Sequence, residues 1–217
     1  MYRFMSLVVS ASLLSFGAYA ECSSCKSDCI KSESVSDILI EDETNYNLRD
    51  GVTLGSKEAE HSIVFYTDAE CSFCHKAYQN LQELREKWKD KLNIIVKQSP
   101  LNHHQVAKEV ARYTLALKNQ SEPLAVRFTE YLYENPKAVK AGQDHWLEIA
   151  QEFQVDLARL KLDLESPIIE QKLAAEIEGA RTLGLRATPS FIIDGKLITG
   201  NRSADELEAY MLADSTR

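Results

Sequence analysis

The chain has 217 residues, of which 44% are hydrophobic and 27% charged, with only eight glycines and five prolines. This composition is typical of one globular domain, or of one domain with an insertion, and argues against a disordered, collagen-like or multi-span membrane protein. The formal net charge is −8. We expect no nucleic-acid partner, because an acidic surface repels phosphates and the sequence contains no basic stripe.

The first 20 residues differ in kind from the rest of the chain. Arg3 gives a short basic start, an apolar run follows over residues 4–16, and Ala18-Tyr19-Ala20 has the small-x-small pattern of a signal-peptidase site. The apolar run is too short to span a bilayer. We therefore predict a signal peptide over residues 1–20, cleaved after Ala20, and a location in the bacterial periplasm.

Five cysteines fall into two tight groups, which are Cys22, Cys25 and Cys29 in one and Cys71 and Cys74 in the other. Export would place them in an oxidising compartment, where an odd total leaves one thiol over. Pairs formed within a group would not join distant parts of the chain. We therefore expect these cysteines to have a chemical role rather than to form structural disulfides that join distant parts of the chain.

Residues 21–51 form a predicted N-terminal arm that is polar and acidic, with one apolar patch at Ile38-Leu39-Ile40. Three interpretations fit its three cysteines: a disulfide plus a spare thiol, a site for a soft metal, or a crosslink between two chains. We favour the first, since three thiolates without a nearby histidine make an incomplete zinc site. The spare thiol and the apolar patch would allow a homodimer through the arm.

Elements of secondary structure can be predicted in chain order from about residue 52. The β-branched and aromatic run 62–66 predicts a buried strand, and residues 71–89 carry apolar side chains at helical spacing. A second buried strand is predicted over residues 92–96. Residues 105–165 carry no strand signal, so we expect a block of short amphipathic helices there.

Local signals mark the elements of the C-terminal part. Ser166-Pro167 offers an N-cap and a first-turn proline for a long helix that ends at Gly184. Asp194-Gly195 predicts a two-residue hairpin turn between two short strands. Ser203-Ala204-Asp205-Glu206 is a capping box that opens a last helix. The predicted fold is an α/β domain over residues 52–213, with a helical insertion at about 103–165.

Cys71-Ser72-Phe73-Cys74 places two thiols about one helical turn apart, at the start of a helix that follows a buried strand. The helix dipole and free backbone N–H groups stabilise a thiolate on Cys71. Cys71 is therefore the predicted nucleophile, and Cys74 is placed to attack a mixed disulfide and release the partner. We expect the Glu70 carboxylate to disfavour the thiolate.

Two other interpretations of the cysteine pair remain. A structural disulfide would close so short a loop that it constrains little of the unfolded chain. A c-type haem is suggested by the C-x-x-C-H pattern ending at His75, but such a haem needs a second axial ligand and a helical pocket. We expect His75 instead to be a partly exposed residue near the active site that supplies positive charge to the thiolate.

Three segments resemble the DsbA-like thioredoxin-fold thiol-disulfide oxidoreductases, in order over roughly residues 52–211. They are residues 55–74, which end at the cysteine pair, Pro100-Leu101-Asn102-His103-His104, and residues 183–195, which contain Ala187-Thr188-Pro189. The resemblance implies a thioredoxin-like fold with an inserted helical block. It also implies that Pro189 is cis beside the cysteine pair, and that Thr188 offers its backbone to an extended substrate chain.

The resemblance implies a periplasmic enzyme that exchanges disulfides with exported proteins through Cys71 and Cys74, with a membrane protein as redox partner and no cofactor or metal. Three residues depart from the family pattern. Phe65 stands where related oxidases often have a buried acid, Ala187 replaces a glycine, and Thr188 is found more in isomerase-like relatives. Dithiol oxidation is the favoured activity. Disulfide isomerisation or reduction is the alternative, and a metal-handling or haem protein is the third class.

Overall fold

Five strands form one mixed sheet in the computed structural model of the protein, which describes residues 48–213. They are β1 (Val52–Gly55), β2 (His61–Thr67), β3 (Leu92–Gln98), β4 (Ser190–Ile193) and β5 (Lys196–Thr199), in the spatial order β1-β3-β2-β4-β5. β2 and β3 run parallel and the other neighbours are antiparallel. The sheet thus places the C-terminal ends of β2 and β3 side by side at one edge.

Helices occupy both faces of this sheet. They are α1 (Ser72–Trp88), α2 (Gln105–Gln120), α3 (Glu122–Glu134), α4 (Pro136–Val139), α5 (Gln143–Glu152), α6 (Leu157–Glu165), α7 (Pro167–Thr182) and α8 (Ala204–Leu212). The α/β class and the helical block between β3 and α7 confirm the predicted fold. No helix within residues 48–213 is both long and apolar enough to cross a bilayer.

The local signals of the sequence are formed as predicted. The Ser166 hydroxyl accepts the Ile168 N–H at the start of α7. Asp194 and Gly195 both have positive φ, 47° and 78°, which is the backbone of a two-residue turn between β4 and β5. The Ser203 capping box opens α8. These features depend on neighbouring residues alone, which is why the sequence reveals them.

One strand was not predicted. β1 has only four residues, ends in a glycine, and pairs along the outer edge of β3, so its sequence carries too little alternation to be recognised. Leu48, ahead of it, is also buried against the sheet, at 1% exposure. The predicted signal peptide and the arm residues up to 47, with Cys22, Cys25 and Cys29, lie outside the described residues.

The side chains of β2 alternate between two hydrophobic clusters. Ile63 and Phe65 face α1, on the side that we call the cysteine face. Val64 and Tyr66 face the opposite side, where the last turn of α7 covers them, and we call this the α7 face. Because successive residues of a strand point to opposite sides, Thr67 at the end of β2 belongs to the cysteine face.

Candidate active site

The two cysteines lie where β2 passes into α1. Cys71 is the N-cap residue of α1, with an extended backbone, and its carbonyl accepts the Cys74 N–H at 2.9 Å. Cys71 is partly exposed, whereas Cys74 is fully buried. The edge of the sheet therefore presents one sulfur to solvent and holds the other beneath it.

The surroundings of Cys71 favour its thiolate. Its pKa is lowered from its ordinary value to about 5, chiefly by a hydrogen bond from the Cys74 thiol. Partial burial opposes this effect, while the backbone N–H groups of Cys74 and Phe73 and the Thr188 side chain support it. The two backbone donors are N–H groups of the first turn of α1, as the position of Cys71 at the N-terminus of this helix predicts.

Cys74 is held in the opposite state. Burial, followed by the hydrogen bond to Cys71, raises the pKa of its thiol well above the ordinary range. The Thr67 hydroxyl and the Asp68 backbone N–H act against this rise, because both can donate to a thiolate on Cys74. One sulfur is thus ready to attack at neutral pH, and the other keeps its proton until exchange begins.

The Thr188–Pro189 peptide bond is cis, as the resemblance implies, and it lies in the segment between α7 and β4. The Cys71 Sγ lies 3.5 Å from the Thr188 carbonyl oxygen. The Thr188 hydroxyl is buried, and apart from its stabilisation of a thiolate on Cys71 it has no hydrogen-bond partner among the described residues. The structure thus brings Cys71 and Cys74 together with Thr188 and Pro189. Cys71 and Thr188, which are in contact, are 117 residues apart in the sequence.

Glu70 has a partner that the sequence did not indicate. Its carboxylate accepts the Ala107 N–H at 2.9 Å, in the first turn of α2. An acceptor at this position satisfies a free donor and matches the positive end of the helix dipole. Glu70, the residue before Cys71, therefore links the start of α1 to the helical insertion. Its effect on the Cys71 thiolate stays a prediction.

Asp68 forms the other part of this anchor, and sequence analysis missed it. Its side chain is fully buried and accepts from the backbone N–H groups of Leu101 and Glu70 and from His104 Nδ1, at 2.7–2.8 Å. These bonds tie the segment before the cysteines to the segment that leads into α2. The motif from Pro100 to His104 offered a signal, but nothing in it pointed to Asp68.

His75 is buried, so the expectation of a partly exposed side chain is wrong. Only 9% of the residue is exposed, because it lies on the same face of α1 as Tyr78. Its Nε2 is 2.8 Å from the Ala69 carbonyl oxygen and its Nδ1 is 3.3 Å from that of Tyr133. With both ring nitrogens against carbonyls, the imidazole is not available to bind a haem iron.

Phe65 stands on β2 at the position where related oxidases often have a buried acid. Phe65 is fully buried and stacks on Phe191 at 5.4 Å. The polar atoms near Cys74 are instead two hydroxyls, since Thr67 Oγ1 lies 2.6 Å from the Tyr133 hydroxyl. Tyr133 comes from the end of α3 in the helical insertion, and no sequence pattern linked it to the cysteines.

The surface beside the cysteines is partly apolar. Phe73, between the two cysteines, is 59% exposed. A cavity of about 340 Å³ lies next to it, lined by Ala69, Glu70, Ser72, His75, Pro136, Lys137, Val139 and Lys140. Within residues 48–213, no cluster of three or more His, Cys, Asp or Glu side chains is arranged to hold a metal ion.

The sequence of residues 47–212 matches the family model described as thioredoxin, so the chain belongs to the thioredoxin family. A curated relative, the Na(+)/H(+) antiporter NhaA of Herminiimonas arsenicoxydans, is 27% identical over 159 residues. The aligned part is 73% of this chain and 25% of the antiporter. The chain therefore spans about a quarter of the length of the curated relative that it matches.

Several solved structures share the fold. A periplasmic thioredoxin-like protein of Salmonella enterica serovar Typhimurium has a TM-score of 0.67 and 21% identity, over 80% of this chain and 98% of that chain. The thiol-disulfide exchange protein alpha-DsbA2 of Wolbachia pipientis has a TM-score of 0.66 and 18% identity, over 77% and 88%. The catalytic domain of Proteus mirabilis ScsC has a TM-score of 0.60 and 17% identity, over 80% and 94%. These similarities confirm the DsbA-like fold.

Proposed function

We propose that this thioredoxin-family oxidoreductase exchanges disulfides with exported proteins in the periplasm, with Cys71 as nucleophile and Cys74 as resolving thiol. The observation that carries the proposal is the contrast between the two sulfurs. The Cys71 sulfur is partly exposed and its pKa is lowered, whereas the Cys74 sulfur, one helical turn away, is buried and its pKa is raised. A pair that served only as a structural link would need no such division.

The exchange conserves atoms and electrons. The Cys71 thiolate attacks one sulfur of a client disulfide, which gives a mixed disulfide and one client thiolate. Cys74 then attacks the Cys71 sulfur, the second client thiolate leaves, and the proton lost by Cys74 passes to it. The client gains two electrons and the cysteine pair loses two, and oxidation of a client dithiol is the same path in reverse.

We propose dithiol oxidation as the main direction. A thiolate stabilised on Cys71 stabilises the reduced protein, which makes its disulfide a stronger oxidant. A membrane protein would then restore the disulfide. Isomerisation or reduction is the second candidate, favoured by the threonine at position 188.

We further propose that clients bind as extended chains against the backbone of Thr188, beside Pro189 and the exposed ring of Phe73. The Thr188 carbonyl already faces the Cys71 sulfur at 3.5 Å, where a mixed disulfide would form. The predicted signal peptide and the periplasmic location named for the Salmonella protein support the compartment. A homodimer through the N-terminal arm also remains a proposal.

Alkylation of the reduced protein over a range of pH tests the assignment of roles. Cys71 should be labelled first, with half-maximal reactivity near the pKa of about 5, and mass spectrometry identifies the site. Cys71→Ser should abolish exchange, while Cys74→Ser should accumulate mixed disulfides with clients. Labelling of Cys74 before Cys71 would reverse the roles.

The reduction potential tests the proposed direction. A value of about −120 mV marks an oxidant, and one of about −270 mV a reductant.

A further inference from the structure

A pair of buried hydroxyls lies beneath the resolving cysteine. Thr67 is completely buried and Tyr133 is 4% exposed, and their oxygens are 2.6 Å apart. The Thr67 hydroxyl also reaches the Cys74 sulfur. Because all three groups are shielded from solvent, water does not compete for these hydrogen bonds, and each is stronger than at the surface.

Tyr133 is held firmly in this position. Its ring stacks on Tyr78 with centroids 4.7 Å apart, and lies 5.0 Å from the ring of His75. Its carbonyl oxygen is in turn contacted by His75 Nδ1. Burial raises the pKa of the Tyr133 phenol well above its ordinary value, so the phenol keeps its proton and can serve as a donor.

The direction of these bonds can follow the state of the sulfur. Each hydroxyl has one proton to donate and lone pairs to accept. When Cys74 is a thiol, its single S–H proton is donated to the Cys71 sulfur, and the Thr67 hydroxyl can donate to Tyr133. When Cys74 becomes a thiolate, Tyr133 can donate to Thr67, and the Thr67 proton then points at the sulfur.

We propose that Tyr133 is a positioning residue that acts through Thr67 to supply a hydrogen bond to Cys74 whenever its sulfur carries negative charge. In client reduction this charge develops as Cys74 attacks the Cys71 sulfur. In client oxidation it develops as the Cys71–Cys74 bond breaks and Cys74 leaves with the electron pair. The inference rests on the proposed function and assigns to the helical insertion a part in the chemistry of the cysteine pair.

The identity of residue 65 explains why such a device is useful here. Phe65 occupies the core beside the cysteines with an apolar ring, so the strand provides no acid to exchange a proton with Cys74. A hydroxyl pair stabilises a transient thiolate without adding a further buried charge to that of Asp68.

The reaction of the reduced protein with dithiobis(nitrobenzoate) separates the two steps. Attack by Cys71 releases one coloured thiolate and leaves a mixed disulfide, and attack by Cys74 releases the second. The full chain is used with Cys22, Cys25 and Cys29 changed to Ser, so that only the active-site pair reacts. The first release then serves as an internal control for folding and for the state of Cys71.

Thr67→Val should slow the second release about tenfold, which is the effect of losing one hydrogen bond to a charged group. Tyr133→Phe should slow it about threefold, since Thr67 remains but is no longer oriented. The double variant should be no slower than Thr67→Val, because Tyr133 acts only through Thr67. Thr67→Ser should restore most of the rate, and the first release should be unchanged throughout.

Tyr78→Phe is the matched control. It removes a buried phenol from the same aromatic group, but that phenol accepts from Gln82 and does not contact Thr67. The inference is overturned if Tyr133→Phe resolves as fast as Tyr78→Phe, or if the effects of Thr67→Val and Tyr133→Phe multiply. Absence of both releases in the parent protein would instead refute the proposed function.

Discussion

The two faces of the central sheet bury different kinds of polar group. On the α7 face, Lys97 and Glu176 form an ion pair with 3% and 7% of their side chains exposed and 3.8 Å between nitrogen and oxygen. On the cysteine face, the buried partners of Cys74 are the neutral hydroxyl pair of Thr67 and Tyr133. The buried ion pair and the reactive sulfurs thus lie on opposite sides of β2 and β3.

The comparison has a physical lesson about buried charge. Lys97 also donates to the Asp50 carbonyl, and Glu176 accepts the Gln98 N–H, so each charge has a hydrogen-bond partner. The energy of such a pair is sensitive to any change of charge beside it, because little water is present to screen that charge. A thiol that gains and loses a proton during exchange would disturb a fixed pair beside it, whereas hydroxyls can reorient.

Placing a carboxylate at position 65, on the cysteine face, should have the largest effect on the free energy of unfolding. Phe65→Asp removes a fully buried ring that stacks on Phe191 and buries a charge without a partner. We expect it to lower the free energy of unfolding by at least about 4 kcal/mol, measured by urea denaturation. Phe65→Leu is the control and should cost only about 1 kcal/mol. Equal stability of the two variants would show that this face tolerates charge.

Replacing Glu176 by a side chain that cannot titrate should have the next largest effect on the free energy of unfolding. Burial raises the pKa of its carboxyl to about 7 in the fold, above its value of about 4.3 in the unfolded chain. The folded state therefore binds the proton more tightly. The stability that this proton contributes is complete below about pH 4.3 and is lost as pH rises through about 7.

Glu176→Gln keeps the shape and the acceptor for Gln98 but cannot titrate. Relative to wild type, the variant should gain stability between about pH 4.5 and pH 7.5, by up to about 3 kcal/mol. Urea unfolding at several pH values measures the difference. Dithiobis(nitrobenzoate) kinetics should not change, because the pair lies on the α7 face. A stability difference independent of pH would contradict the raised pKa.

How far the sequence predicts this site depends on the distance along the chain over which each feature acts. The position of the cysteines on α1 depends on adjacent elements, and Thr188-Pro189 was identified through a family pattern. By contrast, Thr67 and Tyr133 are 66 residues apart and meet only in the folded chain. Tyr133 lies in an amphipathic helix, where a buried tyrosine is indistinguishable from ordinary core.

The side chains of His75 and Glu70 follow the same rule. His75 was expected at the surface from its place beside Cys74, although its spacing of three residues from Tyr78 put both on one face of α1. The effect of Glu70 on Cys71, its neighbour in sequence, stays a prediction, and its carboxylate also contacts α2 through the Ala107 N–H. Helical phase could have corrected the expectation for His75, but only the tertiary structure reveals the contact between Glu70 and α2.

The smallest expected effect concerns the unpartnered hydroxyl of Thr188. Thr188→Val replaces this hydroxyl by a methyl group of similar size. Because the hydroxyl has no hydrogen-bond partner among the described residues other than the Cys71 sulfur, we expect the free energy of unfolding to change by no more than about 0.5 kcal/mol. The same side chain helps to lower the pKa of Cys71, so in this variant the Cys71 pKa should rise from about 5, by less than about one unit.

The pH profile of Cys71 alkylation measures the Cys71 pKa, and thermal unfolding measures the stability. Thr188→Ser keeps the hydroxyl and should match wild type in the alkylation profile. A large loss of stability with an unchanged pH profile would mean that this hydroxyl serves the loop before β4 rather than the reactive sulfur.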